Sequence, residues 1–315
     1  MNSPFVTDHS PRIGEAEELV PGLRVVTAPN AGPMTFTGTR SYILGYDRLA
    51  VIDPGPDEPS HHRALMDATR GATVTHILVT HAHVDHAPLA RRLSVELDVP
   101  ILGFGDMARA QAQFRGDRHG GVSGKTARLP DLGGGEGIDH GHDVDESLDH
   151  GTVVSGGDWV LEALHTPGHL ADHLCFAWRE TGIVFTGDHI MGWATTMVSP
   201  PHGDMQEFMQ SLRRMAERAG DRVFFPGHGG AVEDPHAMID WQIRHRLDRE
   251  QQILDALSGR TLAPEEIAGM IYSGIDGRLI SAATRNVIAH LVDLEARGRV
   301  QMERPGQAQG RYRLV

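Results

Sequence analysis

Short apolar runs rich in β-branched residues recur along most of the chain, separated by turn-forming Gly, Pro, Asn and Asp residues. Runs of this length and composition predict β-strands. The first three are joined by short turns, which indicates a largely antiparallel sheet. The predicted strands cover residues 23–28, 41–44, 49–52, 74–80, 100–104, 159–164, 174–178, 182–186 and 223–225.

Apolar residues at helical spacing predict helices between these strands. Asp204 and Asp234 each precede such a segment, where an aspartate can cap the first turn. Pro235 supports the second assignment, because proline is favoured at the first position of a helix. The methionines after Asp204 are expected to fill the core. The predicted helices cover residues 61–70, a segment that begins at 89, and residues 205–219 and 235–257.

The tail after Gly259 has the pattern of a small separate unit. Its second helix carries apolar residues on one face and ends at Gly298, a favoured helix stop. Two helices followed by a two-stranded hairpin suggest a winged helix. The tail elements are helices at residues 264–272 and 281–297, and strands at 299–303 and 311–315 joined by a turn at 304–310.

Two domains are expected for 315 residues, because one core rarely organises so long a chain. The predicted division gives residues 1–257 and residues 258–315. The second part is basic relative to the first, which fits a nucleic-acid contact only weakly. A structural cap or a surface for a homodimer agrees with the same pattern.

The regular pattern breaks between about residues 115 and 150, where Gly, Asp and His dominate. A loop this long inside a compact domain is usually a lid or a disordered segment. His140 and His142 raise the question of a further metal site. We expect a mobile, solvated loop instead, because no predicted strand anchors these two histidines.

The formal charge of −13 argues against broad binding of nucleic acid, although a local grip on one short strand remains compatible with it. No run approaches the roughly 20 apolar residues of a membrane span. Residues 1–10 lack the features of a secretory signal. Cys175 is the only cysteine, so an internal disulfide is impossible. We therefore expect a cytoplasmic protein without a membrane partner, in which Cys175 is a buried core residue.

The densest chemistry lies in the segment Thr80-His81-Ala82-His83-Val84-Asp85-His86. It follows a predicted buried strand and precedes a predicted helix. Residues two apart in an extended segment point the same way, so His81 and His83 can converge on one ion. The turn beyond directs Asp85 and His86 elsewhere, toward a second ion. Imidazole and carboxylate ligands suit zinc, iron or manganese.

Three later segments repeat the arrangement of an apolar strand followed by glycine and a metal-binding side chain. Glycine allows a sharp turn and a close approach of the backbone. One such segment would be weak support for a metal site, whereas three in order after the histidine cluster are strong. The segments are Gly168-His169, Gly187-Asp188 and Gly227-His228.

These residues together resemble the ligand pattern of the metallo-β-lactamase superfamily, in the hydrolase branch with hydroxyacylglutathione hydrolase and RNase Z. The resemblance implies an α/β (α+β) fold, an αββα sandwich with the metals at one edge, followed by the small winged-helix-like domain. It also implies two zinc ions per chain. Hydrolysis of β-lactams is not expected, because no cysteine is available near these positions. The implied ligands are His81, His83 and His169 for the first zinc, Asp85, His86 and His228 for the second, and Asp188 as the bridge.

The sequence is more closely similar to the subfamily of β-lactamase-like protein 2, described as an endoribonuclease. The winged-helix-like tail belongs to that pattern, whereas the insertion at residues 116–143 departs from it. The resemblance implies a phosphodiesterase that acts on single-stranded RNA. The alternative is hydrolysis of a thioester or acyl ester, as in hydroxyacylglutathione hydrolase, which the acidic charge favours. The segments that carry this similarity are residues 30–42, 187–192, 226–229 and 245–251.

A water between two zinc ions has a pKa of about 7 and supplies a hydroxide that attacks carbonyl carbon or phosphorus. Asp85 and Asp188 are therefore predicted as catalytic residues as well as ligands. Asp85 or a metal-bound water could give a proton to the leaving group. Asp53, Asp172 and His173 are candidates for orienting the ligands from behind, and a purely structural role agrees equally well with their positions.

Overall fold

The computed structural model describes residues 3–105, 137–274, 277–303 and 310–315. Most of the predicted insertion, at residues 116–136, and most of the turn in the tail, at 304–309, lie outside the described residues. Every strand and helix given below belongs to the described ranges. None of the described helices is long and apolar enough to cross a membrane.

The first sheet contains seven strands that lie side by side in chain order. Its first four strands pair antiparallel, as the sequence predicts, and the last three add in parallel. Strand β5 in the parallel part precedes the histidine cluster. Its carboxyl end therefore places the cluster at one edge of the sheet. The strands are β1 Ala16–Val20, β2 Leu23–Thr27, β3 Arg40–Leu44, β4 Arg48–Ile52, β5 Thr73–Leu78, β6 Ile101–Gly103 and β7 Glu146–Ser147.

The second sheet has five strands in the order β12-β11-β10-β9-β8. Strands β8 to β11 pair antiparallel, and β12 joins in parallel beside β11. Consequently the ends of β9, β11 and β12 lie on the same side of the sheet. The strands are β8 Val153–Ser155, β9 Val160–His165, β10 Leu174–Trp178, β11 Ile183–Gly187 and β12 Val223–Pro226.

Along the strands of the second sheet, successive side chains point alternately to the space between the two sheets and to the space under the helices. This alternation produces the layers of a sandwich. Phe176 on β10 belongs to the cluster between the two sheets. Its neighbours Cys175 and Ala177 belong to the cluster under the helices of the second sheet. A third cluster joins the first sheet to its own helices. The helices are α1 Pro59–Ala68 and α2 Leu89–Leu97 on the first sheet, and α3 Met205–Ala216 and α4 Pro235–Leu257 on the second.

This order of helix, sheet, sheet and helix confirms the predicted αββα fold. The predicted caps are also present: the Asp204 carboxylate accepts from the Glu207 N–H at 3.0 Å, and that of Asp234 from the Ala237 N–H at 3.1 Å. Cys175 is buried, and burial raises the pKa of its thiol to about 12. A thiol in this state is a core residue and a poor nucleophile.

The winged helix follows as α5 Pro264–Ile271, α6 Ile280–Ala296, β13 Val300–Glu303 and β14 Arg311–Leu314. Its apolar core also contains the last turns of α4, including Ile253 and Leu257. Met238 and Ile239, at the other end of α4, belong to the core of the large unit. Helix α4 therefore contributes to the cores of both units. The division after residue 257 stays a prediction, and so does the formation of a homodimer.

Three short strands escape the sequence analysis. Strand β1 contains Glu17 and Glu18 and lies at a sheet edge, so it lacks an apolar run. Strands β7 and β8 have only two and three residues. Part of the predicted insertion is also anchored, because the Val84 N–H donates to the Gly137 carbonyl at 2.6 Å. This contact precedes His140 and His142, and the expectation of a mobile, solvated loop at these two histidines stays a prediction.

Candidate metal centre

All seven predicted ligands meet at one edge of the sandwich, where loops from both sheets converge. The histidine cluster follows β5 in the first sheet. The other three ligands follow β9, β11 and β12 in the second sheet, each directly after its glycine. Four loops thus supply the site, and the apolar strands behind them fix where each loop begins.

The first group contains the side chains of His81, His83, His169 and Asp188, whose ligand atoms all lie within 4.8 Å of one another. His81 Nε2 is 2.9 Å from His83 Nδ1, and His169 Nε2 is 3.1 Å from the same His83 atom. The three imidazole nitrogens therefore point at a common centre.

The second group contains Asp85, His86 and His228, again within 4.8 Å of one another. His228 Nε2 lies 3.1 Å from Asp85 Oδ2 and 3.3 Å from His86 Nε2. His86 Nε2 is 3.3 Å from Asp85 Oδ2. These three atoms form a nearly equilateral triangle, as ligands around one face of a cation do.

Asp188 lies between the two groups and offers one oxygen to each. Its Oδ2 is 3.7 Å from His169 Nε2 in the first group. Its Oδ1 is 3.4 Å from His228 Nε2 and 3.5 Å from His86 Nε2 in the second. Asp188 therefore lies where the resemblance implies a bridging ligand.

The donor set and its spacing fit metal ions. Zinc binds imidazole nitrogen at about 2.0–2.1 Å, so the nitrogens of one tetrahedral site lie about 3.3 Å apart. The nitrogen–nitrogen separations of 2.9, 3.1 and 3.3 Å in the two groups approach this value. The cluster of histidines and aspartates is thus compatible with a metal site.

Asp53 orients the histidine cluster from behind. It directly follows β4, has a φ of 50° and is buried. Its Oδ2 is 2.9 Å from His86 Nδ1, and it also accepts from the Thr80 backbone N–H at 2.7 Å and the Thr80 hydroxyl at 2.8 Å. A carboxylate behind a metal-binding histidine fixes its tautomer and ring orientation. This contact favours the orienting role of Asp53 over a simple turn cap.

Asp172 and His173 hold backbone near the site. Asp172 Oδ2 accepts from the Ala82 N–H at 2.9 Å, between two predicted ligands. Burial raises the pKa of Asp172 to about 7. His173 Nε2 accepts from the Asp188 N–H at 3.2 Å, which leaves its Nδ1–H to donate to the Thr166 hydroxyl at 2.8 Å. Both residues thus position backbone, and neither contacts the cluster as a further ligand.

Sequence reasoning missed the groups that hydrogen-bond to three of the other predicted ligands, Asp85, His169 and His228. The Thr39 hydroxyl donates to Asp85 Oδ2 at 3.1 Å, and Asn30 in turn binds Thr39. His169 Nδ1 donates to the Met197 carbonyl at 2.8 Å. His228 Nδ1 lies 3.4 Å from the Gly38 carbonyl. Backbone carbonyls leave no signature in side-chain pattern, so only the fold reveals these two partners.

The glycines before the ligands are required by contact. A Cβ on Gly227 would lie 2.5 Å from His86 and 2.7 Å from Asp188. A Cβ on Gly168 would lie 2.3 Å from the Phe208 backbone, at a φ of +132°. Glycine at these two positions therefore allows the backbone to pass close to its neighbours, where the side chain of any other residue would clash.

Comparison with known proteins identifies the fold family. Residues 34–228 match the family described as Metallo-beta-lactamase superfamily. The chain belongs to the metallo-β-lactamase superfamily. Residues 263–307 match the Beta-lactamase associated winged helix domain, in agreement with the predicted tail.

Relatives of this superfamily member carry two kinds of name. An atrochrysone carboxyl ACP thioesterase from Passalora fulva is 28% identical over 87% of this chain and 74% of its own length. A beta-lactamase-like protein 2 homolog from Drosophila melanogaster is 29% identical over 87% of this chain and 88% of its own. Both similarities extend over nearly the whole chain.

Solved structures of the superfamily share the architecture. A beta-lactamase domain protein from Burkholderia ambifaria superimposes with a TM-score of 0.79 at 20% identity, over 98% of this chain and 96% of its own. A metallo-beta-lactamase family protein from Thermus thermophilus gives 0.73 at 23% identity, over 95% and 100%. These matches show the fold.

The metallo-β-lactamase site is electrostatically asymmetric. Burial and neighbouring imidazoles lower the pKa values of His81 and His169, and that of His83 falls to about 3. Burial opposes charge on His228 too, but Asp188 and Asp85 raise its pKa to about 9. The same carboxylates outweigh burial at His86 and raise its pKa well above the usual value. The first group therefore holds neutral imidazoles and the second holds protonated ones.

Filling the second group should therefore release protons, because a metal ion binds only the neutral imidazole. At pH 7.5 His228, with a pKa of about 9, carries a proton that the cation must displace. The apparent affinity of this group should therefore rise as the pH increases from neutrality toward about 9. Zinc titration by calorimetry in two buffers of different ionisation enthalpy measures the release. Heats that are identical in both buffers would contradict the assignment.

Proposed function

We propose that this chain is a binuclear zinc hydrolase that cleaves acyl thioesters. The observation that carries the proposal is the position of Asp188, whose two oxygens face two separate groups of ligands. Zinc ions held by these groups would supply a hydroxide at neutral pH and would polarise the carbonyl of the substrate. The residues of the two groups would hold and orient these ions.

Asp85 is suited to the role of a ligand. Burial opposes its ionisation, but His86 and His228 hold the pKa of the carboxyl well below its usual range. The Thr39 hydroxyl donates to the same oxygen that faces the two histidines. A carboxylate kept ionised in this way binds a cation well and carries no proton near neutral pH that it could give to a leaving group. This is the reason to assign proton donation to a group other than Asp85.

The leaving group decides between the two ester classes. In this proposal the seven titratable groups at the centre would all serve as ligands, and neighbouring imidazoles hold the pKa of the Asp85 carboxyl low. A thiolate leaves readily without protonation, because an ordinary thiol has a pKa of about 8.5. The alkoxide released from RNA is far more basic and needs an acid. Thioester cleavage therefore fits these residues better, because it does not require one of them to protonate the leaving group.

The winged helix gives further support against duplex nucleic acid as substrate. In helix-turn-helix proteins the N-terminal residues of the second helix contact base edges in the major groove. Here that helix is α6, and Arg285 and Asn286 in its second turn contact Ser199 and Val198 of the large unit. The formal charge of −13 adds to this argument. The relatives named as acyl carrier protein thioesterases agree with the proposal.

Single-stranded RNA, first in the sequence analysis, is the second candidate. Phe36 and Trp193 stack at 4.8 Å with their planes 8° apart, both half-buried. The pair lies against Gly229, since a Cβ there would be 2.9 Å from Trp193, and His228 is the preceding residue. Such a surface can stack a nucleobase, and it can equally receive an aromatic or aliphatic acyl group. The resemblance to β-lactamase-like protein 2 favours RNA.

A paired assay tests the ranking. Zinc-loaded protein is given acetyl-coenzyme A, S-lactoylglutathione, the matching oxygen esters and an end-labelled single-stranded RNA oligonucleotide. We expect thioester hydrolysis to exceed oxygen-ester hydrolysis, and RNA cleavage to stay at the level of an Asp188→Ala control. RNA cleavage that disappears in the control, with thioesters left intact, would reverse the two candidates.

A further inference from the structure

Residues 196–199 form a strap that lies between the metal centre and the winged helix. We propose that the winged-helix unit, through Asn286 and its partner Arg246, positions the metal ligand His169 by holding this strap in place. The inference concerns metal binding by the chain itself, so it holds for either substrate class.

The strap contacts the metal centre directly. The carbonyl of Met197 accepts from His169 Nδ1 at 2.8 Å. This hydrogen bond places the ring proton on Nδ1 and leaves the Nε2 lone pair, which faces His83 and Asp188, for a cation. The position of one carbonyl therefore sets both the tautomer and the direction of a ligand.

The other side of the strap is tied to the bridging ligand. The Thr196 hydroxyl donates to the Asp188 carbonyl at 2.7 Å and is 3.0 Å from the His189 carbonyl. Displacement of the strap would consequently disturb the loop after β11 as well as His169. Both affected ligands belong to the first metal group.

Asn286 and Arg246 fix the strap from outside. The Val198 N–H donates to Asn286 Oδ1 at 3.3 Å, and an Arg246 N–H donates to the same oxygen at 3.1 Å. The second terminal nitrogen of Arg246 donates to the Thr196 carbonyl. One side chain from α4 and one from α6 thus hold Thr196 and Val198, the residues on either side of Met197.

Burial of the charged Arg246 side chain at this position costs stability. It is 2% exposed, its guanidinium lies 5.2 Å from the Phe208 ring centroid, and burial lowers its pKa to about 10. Within the described ranges its terminal nitrogens bind neutral oxygens and form no ion pair with a carboxylate. Burial of a charge without a countercharge costs stability. Precise support of the strap explains why this cost is tolerated.

The segment 245–251 now has a structural explanation that the sequence did not give. Arg246 connects α4, the strap and α6, and the apolar core of the winged helix holds α6 at the required position. The C-terminal unit is therefore part of the metal site's support, in addition to any contact it makes with substrate.

The test measures metal affinity in full-length protein, by competition of zinc-loaded enzyme with a chelator, and the Co²⁺ absorption spectrum. Asn286→Ala and Arg246→Lys should weaken metal binding in the first group about 10- to 100-fold, the usual cost of a lost outer partner. Asn286→Asp keeps an acceptor oxygen and should restore affinity. Arg297→Ala is the matched control, because Arg297 binds Glu250 and joins the same two helices without touching the strap.

Wild-type affinity and spectrum in both Asn286→Ala and Arg246→Lys would overturn the proposal. An equal loss in Arg297→Ala would also overturn it, since it would show general loosening of α4 against α6. Failure of Asn286→Asp to restore the Co²⁺ spectrum would have the same meaning. Thermal unfolding of each variant establishes that it is folded, and Arg246→Lys serves alone if Asn286→Ala does not fold.

Discussion

Asp188→Ala is expected to lose both metal ions and hydrolytic activity together. The substitution removes the only side chain whose oxygens face both ligand groups within the part of the chain that the structure describes. It also leaves His86 and His228 without one of the carboxylates that attract a cation. The loss in activity should exceed the about 100-fold that removal of an outer partner costs. Metal content by elemental analysis and hydrolysis rates measure the two effects.

Asp67→Ala is a suitable control for Asp188→Ala. Asp67 lies on the surface of α1, where its ion pair with Arg70 is exposed. Such pairs contribute about 0–1 kcal/mol, so metal content and activity should stay at the wild-type level. An Asp188→Ala protein that retains two metals, or that hydrolyses substrate normally, would show that the bridging assignment is wrong.

Asp53→Ala should have the second-largest effect, although Asp53 is not itself a predicted ligand. It leaves three buried donors without their acceptor: His86 Nδ1 and the N–H and hydroxyl of Thr80. Each unsatisfied buried group costs about 1–3 kcal/mol, so the free energy of unfolding should fall markedly. Metal affinity should fall about 10- to 100-fold, because His86 loses its orienting partner.

Asp53→Asn separates these two contributions. It keeps an acceptor for the Thr80 N–H, and it removes the negative charge beside His86. Only part of the stability should return, because one amide oxygen replaces two carboxylate oxygens that accept from three donors. Metal affinity should stay reduced. Chemical denaturation and chelator competition measure the two quantities independently. A fully restored metal affinity in Asp53→Asn would contradict an electrostatic role for this carboxylate.

The convergence of the candidate ligands was predictable from sequence, because their residue types and their positions after strands can both be read locally. His81 and His83 stand two apart at a strand end, and the later ligands each follow a glycine after an apolar run. The strand period then places them on one side of each sheet. The structure brings all of these side chains together, and their roles as ligands rest on that geometry.

The supporting contacts were less predictable, because they depend on tertiary distance. Asp53 and Thr80 are 27 residues apart, and Thr39 and Asp85 are 46 apart. Nothing in the local pattern distinguishes Thr39 from any other threonine in a loop. The carbonyl of Met197 has no side-chain signal at all. Such partners become visible only when two loops from different parts of the chain meet.

The edge strands were missed for a different reason. Glu17 and Glu18 in β1 reflect an exposed edge, where apolar alternation is not required. Strand β7 consists of Glu146–Ser147 and is held by pairing with β6. In both cases the neighbouring strand, and not the strand's own propensity, determines the structure.

The candidate ligands come from loops of both sheets, so bound metal would affect the stability of the protein in a cell. Ions bound there would clamp the two halves of the sandwich at one rim, and binding to the native state alone adds stability through mass action. The opposite rim is joined by groups such as the Trp159 indole, which donates to the Arg48 carbonyl at 2.7 Å. Scarcity of metal would therefore lower the lifetime of the protein as well as its turnover.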